Sequence, residues 1–190
     1  MLVTGSGAGT DWVQARPGRR SAGSERLRSL AVLAAFLGIG AVSVAVTFTA
    51  ALGAALGWWP ATPRVDWAPP VLVVATIRSV LYLAVSVAAW VVWTRRRRFA
   101  VHTGLGLFVC QQVLATIWPV LFFAGFGWLG LAGLWVTVGV LLVLDLLLTG
   151  TALAFWGVSR GAAVVVVLDL LLALFVTALV VGSAGQHAAF

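Results

Sequence analysis

Residues 57–82, GWWPATPRVDWAPPVLVVATIRSVLY, decide how this chain is read: a long apolar run ends there, a connector dense in Trp and Pro follows, and a second apolar run begins. Trp58, Trp59 and Trp67 share residues 58–70 with Pro60, Pro63, Pro69 and Pro70. Proline fixes φ and cannot continue a helix, so the connector over 57–70 reads as an ordered, non-helical lid. Trp joins an apolar ring to a polar N–H and favours the membrane–water boundary, which sets the lid at headgroup depth above the space between its flanking helices.

Composition agrees with that placement. The chain is 62% hydrophobic and 9% charged, with a mean hydropathy of +1.10, far from the balance of a soluble domain. Strand-like alternation is absent, which excludes a β-barrel reading. The runs divide into five spans, over about 27–56, 70–93, 99–124, 131–156 and 162–181, each of the length a bilayer requires. The fold class expected is an all-α integral membrane protein, a five-transmembrane-helix bundle over 27–184. Residues 1–26, rich in Gly, Ser and Arg, read as a disordered tail, and 185–190 as a short C-terminal tail. Arg19-Arg20 precede an apolar run too long for a cleaved signal peptide, so that run is taken as the first span.

All twelve basic residues are Arg, and the net charge is +7. In a soluble protein this would suggest nucleic acid; here Arg16, Arg19, Arg20, Arg26, Arg28, Arg95–Arg98 and Arg160 flank the spans instead. With five spans they share one side, leaving Arg64 on the other, so the positive-inside rule puts the N-terminus in the cytoplasm and the lid and C-terminus outside. No nucleic-acid partner is expected. Gly53 and Gly57 form a G-x-x-x-G at the outer end of the first span, which permits close packing or a homodimer.

Charges at membrane depth cost on the order of 3 kcal/mol each and need a reason. Three occur, Arg78, Asp145 and Asp169. Arg78, Tyr82 and Ser86 share one helical face, as do Asp169, Ala173 and Thr177. Counted from the turn at Ser159, Asp145 and Asp169 differ in depth by roughly 6 Å and can meet, with Arg78 roughly 10 Å above them. A structural charge network, a proton or ion pathway, and snorkelling of Arg78 all remain open. Gln111, Ala115, Trp118 and Phe122 form a stripe on the third span, from which Gln111 can hydrogen-bond across the bundle. His102 and His187 lack partners at metal spacing, Cys110 stands alone, and no nucleophile triad or phosphate loop is present, so no metal and no catalytic residue is assigned.

At this point the residues resemble a known family, the TspO/MBR proteins, called tryptophan-rich sensory proteins in bacteria and translocator proteins in mitochondria. The family pattern W-Y-x-x-L-x-K-P-S-W-x-P-P followed by L-Y is similar to Trp58-Trp59 through Arg64, Trp67, Pro69-Pro70 and Leu81-Tyr82. Ala88-Ala89-Trp90 with Val92-Trp93, Gln111 with Trp118 and Phe122-Phe123, and Phe155-Trp156 with Val158-Ser159-Arg160 match further motifs in order. The resemblance covers about residues 30–182. It departs at Leu72, Val74, Ala75, Thr76, Arg78, Ala115, Leu168, Asp169, Leu172 and Val180, where the family carries other, mostly aromatic or polar, residues.

The resemblance implies a bundle in which helix five lies between two and four, an arrangement that favours Arg78 meeting Asp169. It implies a receptor or binding protein in a bacterial cell membrane, taking a planar amphipathic ligand such as a porphyrin, haem or another tetrapyrrole, or a sterol-like lipid, under the lid. The departures fall on the family's cavity, so that binding carries over in part. Trp58, Trp59, Trp67, Pro69, Arg78, Tyr82, Gln111, Trp118 and Phe122 are the expected ligand contacts, with Arg78 facing a ligand carboxylate. The partners expected are the lipid bilayer and that small molecule; no cofactor is expected beyond a tetrapyrrole as ligand. The alternative is a small transporter or proton-coupled carrier using Asp145, Asp169 and Arg78. Light-dependent porphyrin breakdown is disfavoured, since Leu172 stands where the family's helix-five Trp is expected.

Overall fold

The computed structural model describes residues 22–59, 64–95 and 100–188. The expectations for the tail over 1–21, for Pro60 and Pro63, for Arg96–Arg98 and for residues 189–190 lie outside the described residues. Five long helices make up the rest: α1 (Ala22–Ala55), α2 (Val71–Thr94), α3 (Ala100–Val120), α4 (Leu131–Trp156) and α5 (Arg160–Ala188). A π-helical turn, Leu121–Gly125, and a last α-turn, Phe126–Leu129, prolong α3. Among the described residues there is no strand. All five spans are long and apolar enough to cross a bilayer, and the protein is an all-α integral membrane bundle.

The element ends differ from the apolar runs for physical reasons. α1 starts at Ala22 rather than near Leu27, because Glu25 in its first turn complements the helix dipole and an exposed helix end needs no apolar side chains. The third span runs past its expected end near 124, through Gly125 and Gly127, and ends before Gly130. Gly weakens a helix by about 1 kcal/mol relative to Ala, too little to free backbone groups that find no water inside a bilayer. By the same reasoning α5 continues past residue 181 to Ala188.

Neighbouring helices follow the order α1, α2, α5, α4, α3 around the bundle, with α3 returning to α1. α5 therefore lies between α2 and α4. At the arginine-rich end Val85, Ala89 and Val92 of α2 meet Phe108, Phe155, Ala163 and Val166 in a buried interior. Trp90 Nε1 donates to the Ser29 carbonyl at 3.2 Å and Arg95 donates to the Val158 carbonyl at 2.8 Å, tying α2 to α1 and to the α4–α5 turn. The outer surface is apolar as well: Leu146 and Leu153 are each 71% exposed. With lipid outside, burial of apolar area gives little drive for helix association, so packing and interhelical hydrogen bonds carry it. One such contact joins α1 to α3, where Ser43 Oγ lies 3.1 Å from Thr116 Oγ1 and the Gln112 amide donates to Ser43 at 3.5 Å.

Candidate functional site

The lid is seated at both ends. After α1, Gly57 adopts φ +74°, a conformation an L side chain rarely takes, and turns the chain so that Trp59 folds back and donates its Nε1 hydrogen to the Ala50 carbonyl at 3.2 Å. A Cβ on Gly53 would collide with that indole. Gly53 and Gly57 thus serve the lid, Gly53 through the close packing that the G-x-x-x-G permits. At the far end Val65 is buried against α5, where a Cβ on Gly182 would come within 3.1 Å of it. Trp67 stacks edge-to-face on Phe175 with ring centres 6.2 Å apart and remains 59% exposed.

Beneath the lid is a cavity of about 70 Å³. Thr47 and Ala51 of α1, Pro69 of the lid, Ala75 and Arg78 of α2, Trp118 and Phe122 of the third span, and Val176 of α5 are among its walls. The third span opens toward it because of Pro119. Proline has no N–H, so the carbonyl one turn earlier, Ala115, loses its helical donor, and the π-helical turn follows directly. The Tyr82 hydroxyl occupies that vacated acceptor, donating to the Ala115 carbonyl at 3.5 Å.

Tyr82 is the hub under the floor. Its hydroxyl also accepts from Arg78 Nε at 3.0 Å and from Trp118 Nε1 at 3.4 Å, which fills its hydrogen-bonding capacity. The Arg78 guanidinium lies 5.4 Å from the Tyr82 ring centre and 5.8 Å from that of Trp118, within cation–π range. Nη1 is 3.8 Å from Asp169 Oδ1 on α5, an ion pair longer than a hydrogen bond. Both Nη groups are without hydrogen-bond partners among the described residues. Arg78 is wholly buried, so it does not snorkel.

Asp145 on α4 accepts from the Thr177 hydroxyl at 2.8 Å. The two carboxylates are thus held by different partners, Thr177 and Arg78, while remaining close enough for their charges to act on one another and on Arg78.

Of the nine expected ligand contacts, Pro69, Arg78, Trp118 and Phe122 line the cavity. Tyr82 lies behind it and orients Arg78. Trp59 and Trp67 seat the lid, and Trp58, at 61% exposure, lies outside the lining. Gln111 is buried, but its amide has no partner among the described residues and makes no bond across the bundle; Gln112 does so, because it faces α1 where Gln111 faces the interior. Thr47, Ala75 and Val176 had no signal in the sequence, being small or apolar in a chain full of both. Thr177 had one, its helical spacing from Asp169, though its partner is Asp145.

The fold and site define a class: a small polytopic membrane protein with a lidded, mostly apolar cavity floored by a buried arginine. The sequence model of the TspO/MBR family matches residues 31–184, and the chain belongs to that family. It is similar to the translocator proteins of Bos taurus and Ovis aries, each 31% identical over 120 residues that cover 58% of this chain and 63% of the relative. The aligned region thus spans just under two thirds of those relatives' length.

Proposed function

We propose that this protein is a membrane receptor, a binding protein rather than an enzyme, for a planar amphipathic ligand of the tetrapyrrole type, held under the lid with an acidic group on Arg78. The observation that carries this is Arg78 itself, wholly buried, lining an apolar cavity, with both Nη groups unpartnered. A guanidinium in that state offers a carboxylate two parallel hydrogen bonds in a medium of low dielectric. Trp118 and Phe122 supply the aromatic wall against which a flat ring system packs.

A cavity of about 70 Å³ is smaller than the roughly 300 Å³ at which ligand pockets begin. Entry of a tetrapyrrole therefore requires the lid to lift. Its far end is suited to that, since Val65 and Trp67 rest on α5 through side-chain packing. The arginine-rich end is assigned to the cytoplasm and the lid to the outer face.

The test is a titration of the purified protein with protoporphyrin, followed by quenching of Trp fluorescence. Saturable quenching that is lost in Arg78→Gln and weakened in Trp118→Phe is expected; affinity unchanged in both variants would overturn the pocket.

A further inference from the structure

Below the cavity floor the charges do not balance: one guanidinium, Arg78, faces two carboxylates, Asp169 at 3.8 Å and Asp145 beyond it. These are almost wholly buried, with Arg78 at 0%, Asp169 at 2% and Asp145 at 6% exposure. Asp169 receives no hydrogen bond at Oδ1 and Asp145 none at Oδ1 among the described residues. Arg64 of the lid also lines the cavity, at its exposed rim, where water and salt screen its charge from the buried carboxylates; the titratable groups facing Asp169 are these. α2 brings Arg78 and Tyr82, α4 brings Asp145, and among the described residues α1 and α3 place none in the interior at this level, since Gln111 is neutral and His102 and Cys110 are exposed.

An anion docking on the free Nη groups of Arg78 adds a further negative charge to a site already short of cations, and divides the guanidinium between the incoming acid and Asp169. A site that already carries one uncompensated negative charge does not take a second in a low-dielectric interior, so a positive charge enters with the ligand. A hard metal cation needs a shell of several oxygen ligands. Two carboxylates and the Thr177 hydroxyl are the oxygen groups at hand among the described residues, fewer than such a shell takes, which suits a proton. We infer that this protein binds its anionic amphiphile together with one proton, taken up by the Asp145–Asp169 pair as the ligand replaces Asp169 on Arg78. This rests on the reading of Arg78 as the ligand's anchor.

A probe that stays ionised at every working pH isolates the proton taken by the protein. Pyrenesulfonate is planar, amphipathic and always anionic. Calorimetric titration of the full chain in lipid nanodiscs, repeated in two buffers of different ionisation enthalpy, reads the protons taken up per anion bound. About one is expected, with affinity falling about tenfold per pH unit on the alkaline side. Asp169→Asn removes one carboxylate, so the variant should bind pyrenesulfonate without uptake and with a flat pH profile. Asp145→Asn should do the same and serves where the first variant does not fold.

Binding without proton uptake by the unaltered protein overturns the inference and leaves the receptor reading standing. Uptake that persists in both Asn variants, or uptake replaced by a dependence on sodium concentration, also overturns it. No binding of pyrenesulfonate overturns it together with Arg78 as anchor, while the protoporphyrin titration separately decides whether the cavity binds flat ligands at all.

Discussion

At the arginine-rich end the helices close on one another: Phe108 and Phe155 are fully buried among Val85, Ala89, Val92 and Ala163. At the lid end the same helices leave a cavity, bounded on one side by the π-helical turn after Pro119 and floored by Arg78. The difference lies in backbone hydrogen bonding. Where each helix satisfies its own backbone, side chains fill the interior. Where Pro119 frees the Ala115 carbonyl, a polar hub forms around Tyr82, and polar groups that must keep partners cannot pack as tightly as aliphatics. One end is packed solid and the other keeps a cavity.

Substitutions in each half test this division. The largest effect is expected for Arg78→Ala, which leaves Asp169 buried without its cation and should cost about 3–5 kcal/mol in reversible unfolding in detergent; a loss below about 1 kcal/mol would mean that Asp169 is neutral without help. Phe155→Ala, in the closed half, should cost about 3–4 kcal/mol through the cavity it opens while protoporphyrin affinity stays the same. A parallel loss of affinity there would break the separation of the two ends. Tyr82→Phe strips the shared acceptor from Arg78 and Trp118 and should cost about 1–3 kcal/mol, with the change in Trp emission reporting the released Trp118 N–H.

Smaller effects sharpen the boundary. Ser43→Ala, at the α1–α3 contact, should cost about 1 kcal/mol, measured by the same unfolding assay. Trp67→Ala should change stability by less than about 0.5 kcal/mol, because its ring is largely exposed, yet should speed ligand association in stopped-flow by loosening the lid from Phe175. An unchanged association rate would show that the lid does not open at that end.

Much of the architecture is legible in the sequence. Five apolar runs of bilayer length follow from the rule that backbone polar groups in lipid must be satisfied within the segment, and the flanking arginines and the Trp–Pro connector from the preference of charges and amphipathic rings for the interface. The approach of Arg78 to Asp169 followed from the resemblance to a family with helix five between two and four; residue counting alone put the pair roughly 10 Å apart in depth. Within the site the lid's Trp residues drew attention because of their number. Their side chains prove to be seats: Trp59 bonds to Ala50 and Trp67 lies on Phe175, while the cavity itself is lined by Pro69, Arg78, Trp118, Phe122 and small residues with no compositional signal.

The sequence by itself determined the class of solvent, the number of crossings, the place of the lid and the presence of three charges that had to find partners, because these depend on local composition and on rules that act within one segment. Tertiary structure alone decided which partners they found. Thr177 went to Asp145 rather than serving Asp169, Gln112 rather than Gln111 joined the helices, and Gly53 made room for Trp59. Each of those outcomes turns on the facing direction and separation of two different helices, quantities set by packing across the bundle and written in no single stretch of chain.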